Sequence, residues 1–145
     1  MSDWQFSKRL VYGWGGAACL LALAGCTSND KAYVSGVVTA NGAPADGYVL
    51  VFTPTDGIAG PAHARTGSGG KYQARTSRTI DWVVPGTFRV EVLGPVELAR
   101  DSGSPPPAGA VRVPKRYRGN ASELSATIEP GDNTLNFEIN LREAT

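Results

Sequence analysis

The sequence has few of the residues from which most catalytic and metal sites are built. Its 145 residues include two cysteines, Cys19 and Cys26, and a single histidine, His63. A zinc site draws on several cysteine or histidine ligands, so this composition excludes one. A Cys–His or Ser–His–Asp centre would have to use His63, which lies in a stretch of small residues. We therefore expect no enzymatic activity, no metal and no cofactor.

Long apolar runs are absent except near the N-terminus. Residues 10–25 are almost all apolar or small, and they follow the basic residues Lys8 and Arg9. The run is shorter than the roughly 20 residues that span a bilayer comfortably. It ends in four residues that resemble the lipobox of a bacterial lipoprotein signal peptide, namely Leu23, Ala24, Gly25 and Cys26.

This resemblance implies that Cys26 receives a diacylglycerol on sulfur and becomes the acylated N-terminus after cleavage. Two or three acyl chains give lasting membrane attachment, whereas one gives only marginal binding. Thr27 follows the cysteine where an aspartate would retain the protein at the inner membrane, so the outer membrane is favoured. An uncleaved membrane anchor and a plain secretory signal cut after Gly25 stay open as alternatives. We divide the chain into a signal peptide (1–25), a lipidated tether (26–32) and one domain (33–145).

An excess of charge of either sign is also absent. The sequence has 14 Lys and Arg against 13 Asp and Glu, and cleavage before Cys26 removes Lys8, Arg9 and Asp3, which leaves twelve of each. A nucleic-acid-binding protein usually carries a basic excess on one face. We therefore expect the partners to be the membrane and envelope proteins or polysaccharide rather than nucleic acid.

Helical periodicity is lacking after residue 30, where short Val-, Ile-, Thr- and Phe-rich runs are punctuated by glycine and proline. Alternation of apolar and polar residues predicts antiparallel strands that have one solvent-exposed face. Pro130–Asn133 is predicted to be a turn. The segment 94–114, with Pro105, Pro106 and Pro107, reads as a long exposed loop. The predicted strands are 33–40, 48–53, 63–66, 71–75, 79–84 (weakly), 87–93, 124–129 and 135–141.

Five motifs follow one another along the chain, namely Val34–Val38 with Asn41–Pro44, Val49–Pro54, Thr66–Tyr72, Val84–Val90 and Val113–Arg118. In this order they resemble carboxypeptidase-regulatory-like domains and the transthyretin-like lipoproteins common in planctomycetes. The resemblance implies an all-β fold, a transthyretin-like (prealbumin-like) seven-stranded antiparallel β-sandwich. In it, Tyr72 and Phe88 are expected to be core aromatics.

Large polar aromatics are scarce in the predicted domain, which limits the places where a sugar ring would stack. Trp82 is the only tryptophan after the signal, and with Tyr117 it is the best candidate for a stacking surface. Alternation with Ile80 and Val84 also fits Trp82 as a packing residue. The sequence thus predicts a non-catalytic, membrane-anchored lipoprotein acting as a structural or protein-interaction module, with a carbohydrate-binding module as the alternative. Its oligomeric state is left open.

Overall fold

The computed structural model describes residues 30–142, which are mostly β-structure arranged in two sheets. One short helix, α1 (Pro95–Asp101), follows the sixth strand. Single 3₁₀ turns lie at Ser68–Gly70, Lys115–Tyr117 and Gly119–Ala121. The strands are β1 (Ala32–Ala40), β2 (Ala43–Pro44), β3 (Val49–Pro54), β4 (Ala62–Arg65), β5 (Lys71–Gln73), β6 (Gly86–Leu93), β7 (Ser125–Ile128), β8 (Gly131–Thr134) and β9 (Phe137–Ile139).

The first sheet is built around β1. Strands β2 and β5 pair antiparallel with it, and β8 and β9 pair parallel with it. The tight turn between β1 and β2 uses Asn41 and Gly42, both with positive φ, as the Asn-Gly pair predicts. The second sheet has the order β4-β3-β6-β7 with antiparallel pairing throughout.

Four aromatic rings pack between the sheets. Phe52 of β3 and Phe88 of β6 come from the second sheet, and their ring centroids are 6.4 Å apart in an edge-to-face arrangement. Tyr72 of β5 and Phe137 of β9 come from the first sheet, and their centroids lie 6.3 and 6.4 Å from that of Phe52. Rings at these separations attract one another beyond the area they bury. Both predicted core aromatics, Tyr72 and Phe88, are therefore confirmed as buried.

Gly36 allows the chain between β8 and β9 to lie close against β1. The Leu135 carbonyl accepts a hydrogen bond from the Tyr72 hydroxyl at 2.6 Å, and the Leu135 amide donates to the Ser35 carbonyl at 2.8 Å. A Cβ at position 36 would overlap the Leu135 carbonyl oxygen. A glycine is thus required here by close backbone approach.

The direction of the last two strands differs from the prediction. Alternation at 135–141 indicated an antiparallel strand, whereas both β8 and β9 run parallel to β1. The chain leaves the second sheet after Ile128 and enters the first beside Ala32. Burial of one face produces the same alternation in either direction, so the sequence does not reveal the crossover.

The predicted turn Pro130–Asn133 is largely strand β8. Its turn chemistry is nevertheless present, because the Asn133 side chain bonds the backbone where the chain changes sheets. Its amide nitrogen donates to the Glu129 and Gly131 carbonyls at 2.8 and 3.0 Å, and its oxygen accepts from the Glu129 amide at 3.0 Å.

Three further expectations need correction. The segment 94–114 is not a loop throughout, because it contains α1 and the fully buried Val113. The segment 79–84 is not a strand, and only Val83 forms a backbone bridge, to Ala32. The described residues contain nine strand segments rather than seven.

Candidate binding groove

Strands β4 and β5 lie at the edges of different sheets, and a groove opens where the two edges meet. One backbone bridge joins β4 to the residues just after β5, between His63 and Arg75, with both N–H···O distances at 2.8 Å. The connection between the strands closes with a second contact, in which the Gly67 amide donates to the Lys71 carbonyl at 2.8 Å. The two strands therefore belong to one hairpin-like segment whose arms enter different sheets.

Buried hydrogen bonds hold the start of this connection. The Thr66 hydroxyl donates to the Ala45 carbonyl and accepts from the Tyr48 amide at 2.8 Å. Two consecutive glycines, Gly69 and Gly70, then reverse the chain with φ of 76° and 69°, which glycine adopts without strain. The path of the connection between β4 and β5 thus follows from local sequence.

Along the two strands, buried side chains alternate with exposed polar side chains, most of which are basic. Ala62 and Ala64 of β4, and Tyr72 of β5, point into the core and are buried. Because successive strand residues face opposite sides, the residues between them point outward. Those outward residues are exposed, and they are His63, Arg65, Lys71, Gln73 and Arg75.

The groove has a volume of about 740 Å³, and the charged residues that line it are all basic. Its lining contains four cations and His63, and none of the described Asp or Glu residues lines it. The cations are Arg65, Lys71, Arg75 and Arg78. Val49, Ala64 and Tyr72 contribute apolar surface. Within residues 30–142, no carboxylate lies within 4 Å of any of the four cations. Because the charge of the whole chain is nearly balanced, this lining is a local excess of positive charge.

Sequence reasoning identified His63 only as a poor catalytic candidate, and it missed the groove that His63 lines. The alternation Ala62-His63-Ala64-Arg65 and the spacing of Lys71, Gln73 and Arg75 were visible signals of two basic strand faces. Their convergence depends on β4 and β5 meeting at the edges of two sheets, which the sequence does not show.

The two predicted stacking aromatics lie apart. Trp82 is half-buried, and the Lys31 ammonium lies 5.3 Å from its ring centroid. Its neighbour Val83 pairs with Ala32, at the start of β1. Tyr117 is also half-buried, with the Arg116 guanidinium 4.9 Å from its ring.

The Tyr117 hydroxyl accepts a hydrogen bond from the Asn140 amide at 3.2 Å, just beyond the pairing of Ile139 with Ala40. Trp82 and Tyr117 thus lie near opposite ends of β1, which is roughly 26 Å long at 3.3 Å per residue. The two rings do not form one stacking surface.

A second polar cluster surrounds Glu97 of α1, a residue that the sequence reading passed over. Glu97 is 7% exposed. Its Oε2 atom accepts from the Gly94 amide at 3.1 Å and from the Val113 amide at 3.4 Å. Its Oε1 atom lies 3.6 Å from Arg112 Nε and 3.7 Å from Arg118 Nη1. The signal for this helix start was Pro95 at its first position and Glu97 at its third.

The Glu97 cluster joins the two ends of the 94–113 segment to the sandwich. Burial raises the pKa of Tyr48, and the nearby Glu97 charge raises it further. The adjoining cavity, about 360 Å³, is lined by residues of both signs, including Glu91, Arg100 and Asp101. Charge in this cavity is thus matched within the protein, in contrast to the groove between β4 and β5.

The lipobox residues Leu23, Ala24, Gly25 and Cys26 lie outside the described residues. In the part of the chain that the structure describes, no helix has the length and apolar character needed to cross a membrane. The same part contains no group of three or more His, Cys, Asp or Glu side chains placed to hold a metal ion. Comparison of the chain with models of known protein families and with curated protein sequences finds no match.

Proposed function

We propose that the protein is a non-catalytic lipoprotein of the cell envelope, anchored through Cys26, whose β-domain is a protein-interaction module. The observation that carries the interaction part is the basic groove between β4 and β5. There the described part of the domain offers unmatched charge and apolar surface together. We assign the finer fold to the transthyretin-like sandwiches, on the motif order and on the glycine and Asn-Gly positions of the chain.

The anchor part is supported by the Leu-Ala-Gly-Cys sequence and by the short distance from Cys26 to the first strand. Ala32 is fully buried and is held by two backbone hydrogen bonds to Val83, at 2.9 and 2.8 Å. The tether 26–31 spans at most roughly 20 Å when extended. A domain held this close to a lipid surface would meet partners within the envelope rather than in free solution.

The experiment that tests the anchor is intact mass spectrometry of the protein extracted from its native membrane. We expect a chain that begins at Cys26 and carries added acyl mass. We also expect Cys26→Ser to remove the protein from the membrane fraction, because the attachment site for the lipid is lost. The matched control is Cys19→Ser, which changes a cysteine inside the signal and should leave the lipidated product unchanged. A wild-type chain that retains Met1 and carries no lipid would contradict the proposal.

A further inference from the structure

We propose that the groove between β4 and β5 binds an extended acidic segment of a partner protein. This inference rests on the proposed role of the domain as an interaction module and names the chemistry of its partner. The groove is lined by the exposed side chains of Arg65, Lys71, Arg75 and Arg78 and by the apolar residues Val49, Ala64 and Tyr72.

Charge complementarity selects an anionic occupant. Four cations line the groove without a lining carboxylate, and within residues 30–142 their only counter-charges would be farther than 4 Å. Like charges held together raise the local positive potential, which attracts an anionic partner and rejects a cationic one. Glutamate and aspartate side chains supply the matching charge.

The spacing of the basic residues fits an extended polypeptide. Lys71 and Arg75 are four residues apart on one side of the groove, so they are separated by roughly 13 Å along an extended chain. An extended peptide of about five residues covers this span. Its side chains alternate, so carboxylates at every second position reach the basic rim while an intervening apolar residue faces the half-buried Val49.

A polysaccharide fits this lining less well. Sugar rings are recognised in large part by stacking on exposed aromatic faces. Tyr72 is the single aromatic residue among those lining the groove, and only 6% of its surface is exposed. Trp82 and Tyr117 do not line the groove. An acidic polysaccharide and an anionic lipid surface are therefore kept as competing outcomes of the test.

The test uses the mature protein purified in detergent and a fluorescein-labelled peptide of about ten residues that alternates glutamate and valine. Fluorescence anisotropy measures binding. We expect the glutamate peptide to bind, a peptide with glutamine at each glutamate position to bind at least about tenfold more weakly, and added salt to weaken binding. Equal binding of the two peptides, or no binding of either, would overturn the proposal.

Charge reversal locates the site. The double variant Arg65→Glu, Arg75→Glu should lose at least about tenfold in affinity for the glutamate peptide, because both changes put repulsive charge on the rim. Both side chains are exposed, so the circular dichroism spectrum and Tm should stay as in the wild type. Lys115→Glu is the matched control, since Lys115 is exposed and lies outside the groove. A folded double variant that binds as the wild type does would also overturn the proposal.

Two competing ligands complete the test. Binding of polygalacturonate, or of vesicles containing phosphatidylglycerol, without binding of the glutamate peptide would reassign the groove to a polysaccharide or to the membrane. None of these results depends on lipidation of Cys26. A lipidated chain that fails to bind the peptide leaves the anchor proposal standing, and an unlipidated chain that binds it leaves the groove proposal standing.

Discussion

At the scale of single residues, Glu97 is a buried charged side chain that ties the 94–113 segment to the sandwich. Its carboxylate accepts two backbone hydrogen bonds and faces two arginines. Removing it would leave the Gly94 and Val113 amides without this acceptor. A hydrogen bond to a charged group contributes about 1.5 to 3 kcal/mol. We expect Glu97→Ala to lower the free energy of unfolding by about 2 to 3 kcal/mol, measured by urea denaturation.

Glu97→Gln separates the hydrogen bonds from the charge. The amide oxygen of glutamine still accepts from the backbone, so we expect a smaller loss of stability than with alanine. The pKa of Tyr48 should fall toward its ordinary value in this variant, because one of the causes that raise it is the Glu97 charge. Ultraviolet titration of the tyrosines measures this shift. Glu123→Gln is the control, because Glu123 is exposed, and an equal loss of stability in both variants would refute the role of Glu97.

At the scale of elements, β9 contributes little length but an important ring. Phe137 is 9% exposed and packs against Phe52 and Tyr72. Truncation of a buried phenylalanine costs about 3 to 5 kcal/mol, through lost burial and the cavity left behind. We expect Phe137→Ala to lower Tm and the free energy of unfolding accordingly. Glu138→Ala, one residue along on the exposed face, should have little effect, and an unchanged Tm for Phe137→Ala would contradict the position of β9.

The strands also show which features of the fold could be predicted from the sequence. Alternation correctly placed Phe88, Val90 and Val92 on the buried face of β6, and Ala126 and Ile128 on that of β7. Such periodicity depends only on neighbouring residues. The direction of β8 and β9 depends instead on a crossover between sheets. The basic groove likewise depends on the meeting of two edge strands that belong to different sheets, so its parts were visible in the sequence and its assembly was not.

At the scale of the whole molecule, the two sheets share one core. The ring of Phe52, from the second sheet, contacts both Tyr72 and Phe137 of the first. Chain connectivity reinforces this link. Strands β4 and β5 are consecutive but lie in different sheets, and the same is true of β7 and β8. Neither sheet therefore has a separate core that would keep it folded after the other opens.

Because the two sheets share one core, we expect the whole domain to unfold cooperatively, and this can be measured. A chain that begins at Cys26 has Trp82 as its single tryptophan, beside the start of β1, so fluorescence reports on the first sheet. Far-ultraviolet circular dichroism reports on all strands. We expect the two urea transitions to coincide, as two-state unfolding requires, and Phe52→Ala to shift both to lower urea together by about 3 to 5 kcal/mol of stability. Ile58→Ala is the control, because Ile58 is 84% exposed and should shift neither transition. A fluorescence transition that separates from the circular dichroism transition would mean that the sheets unfold independently, and the shared aromatic core would then not be what joins them.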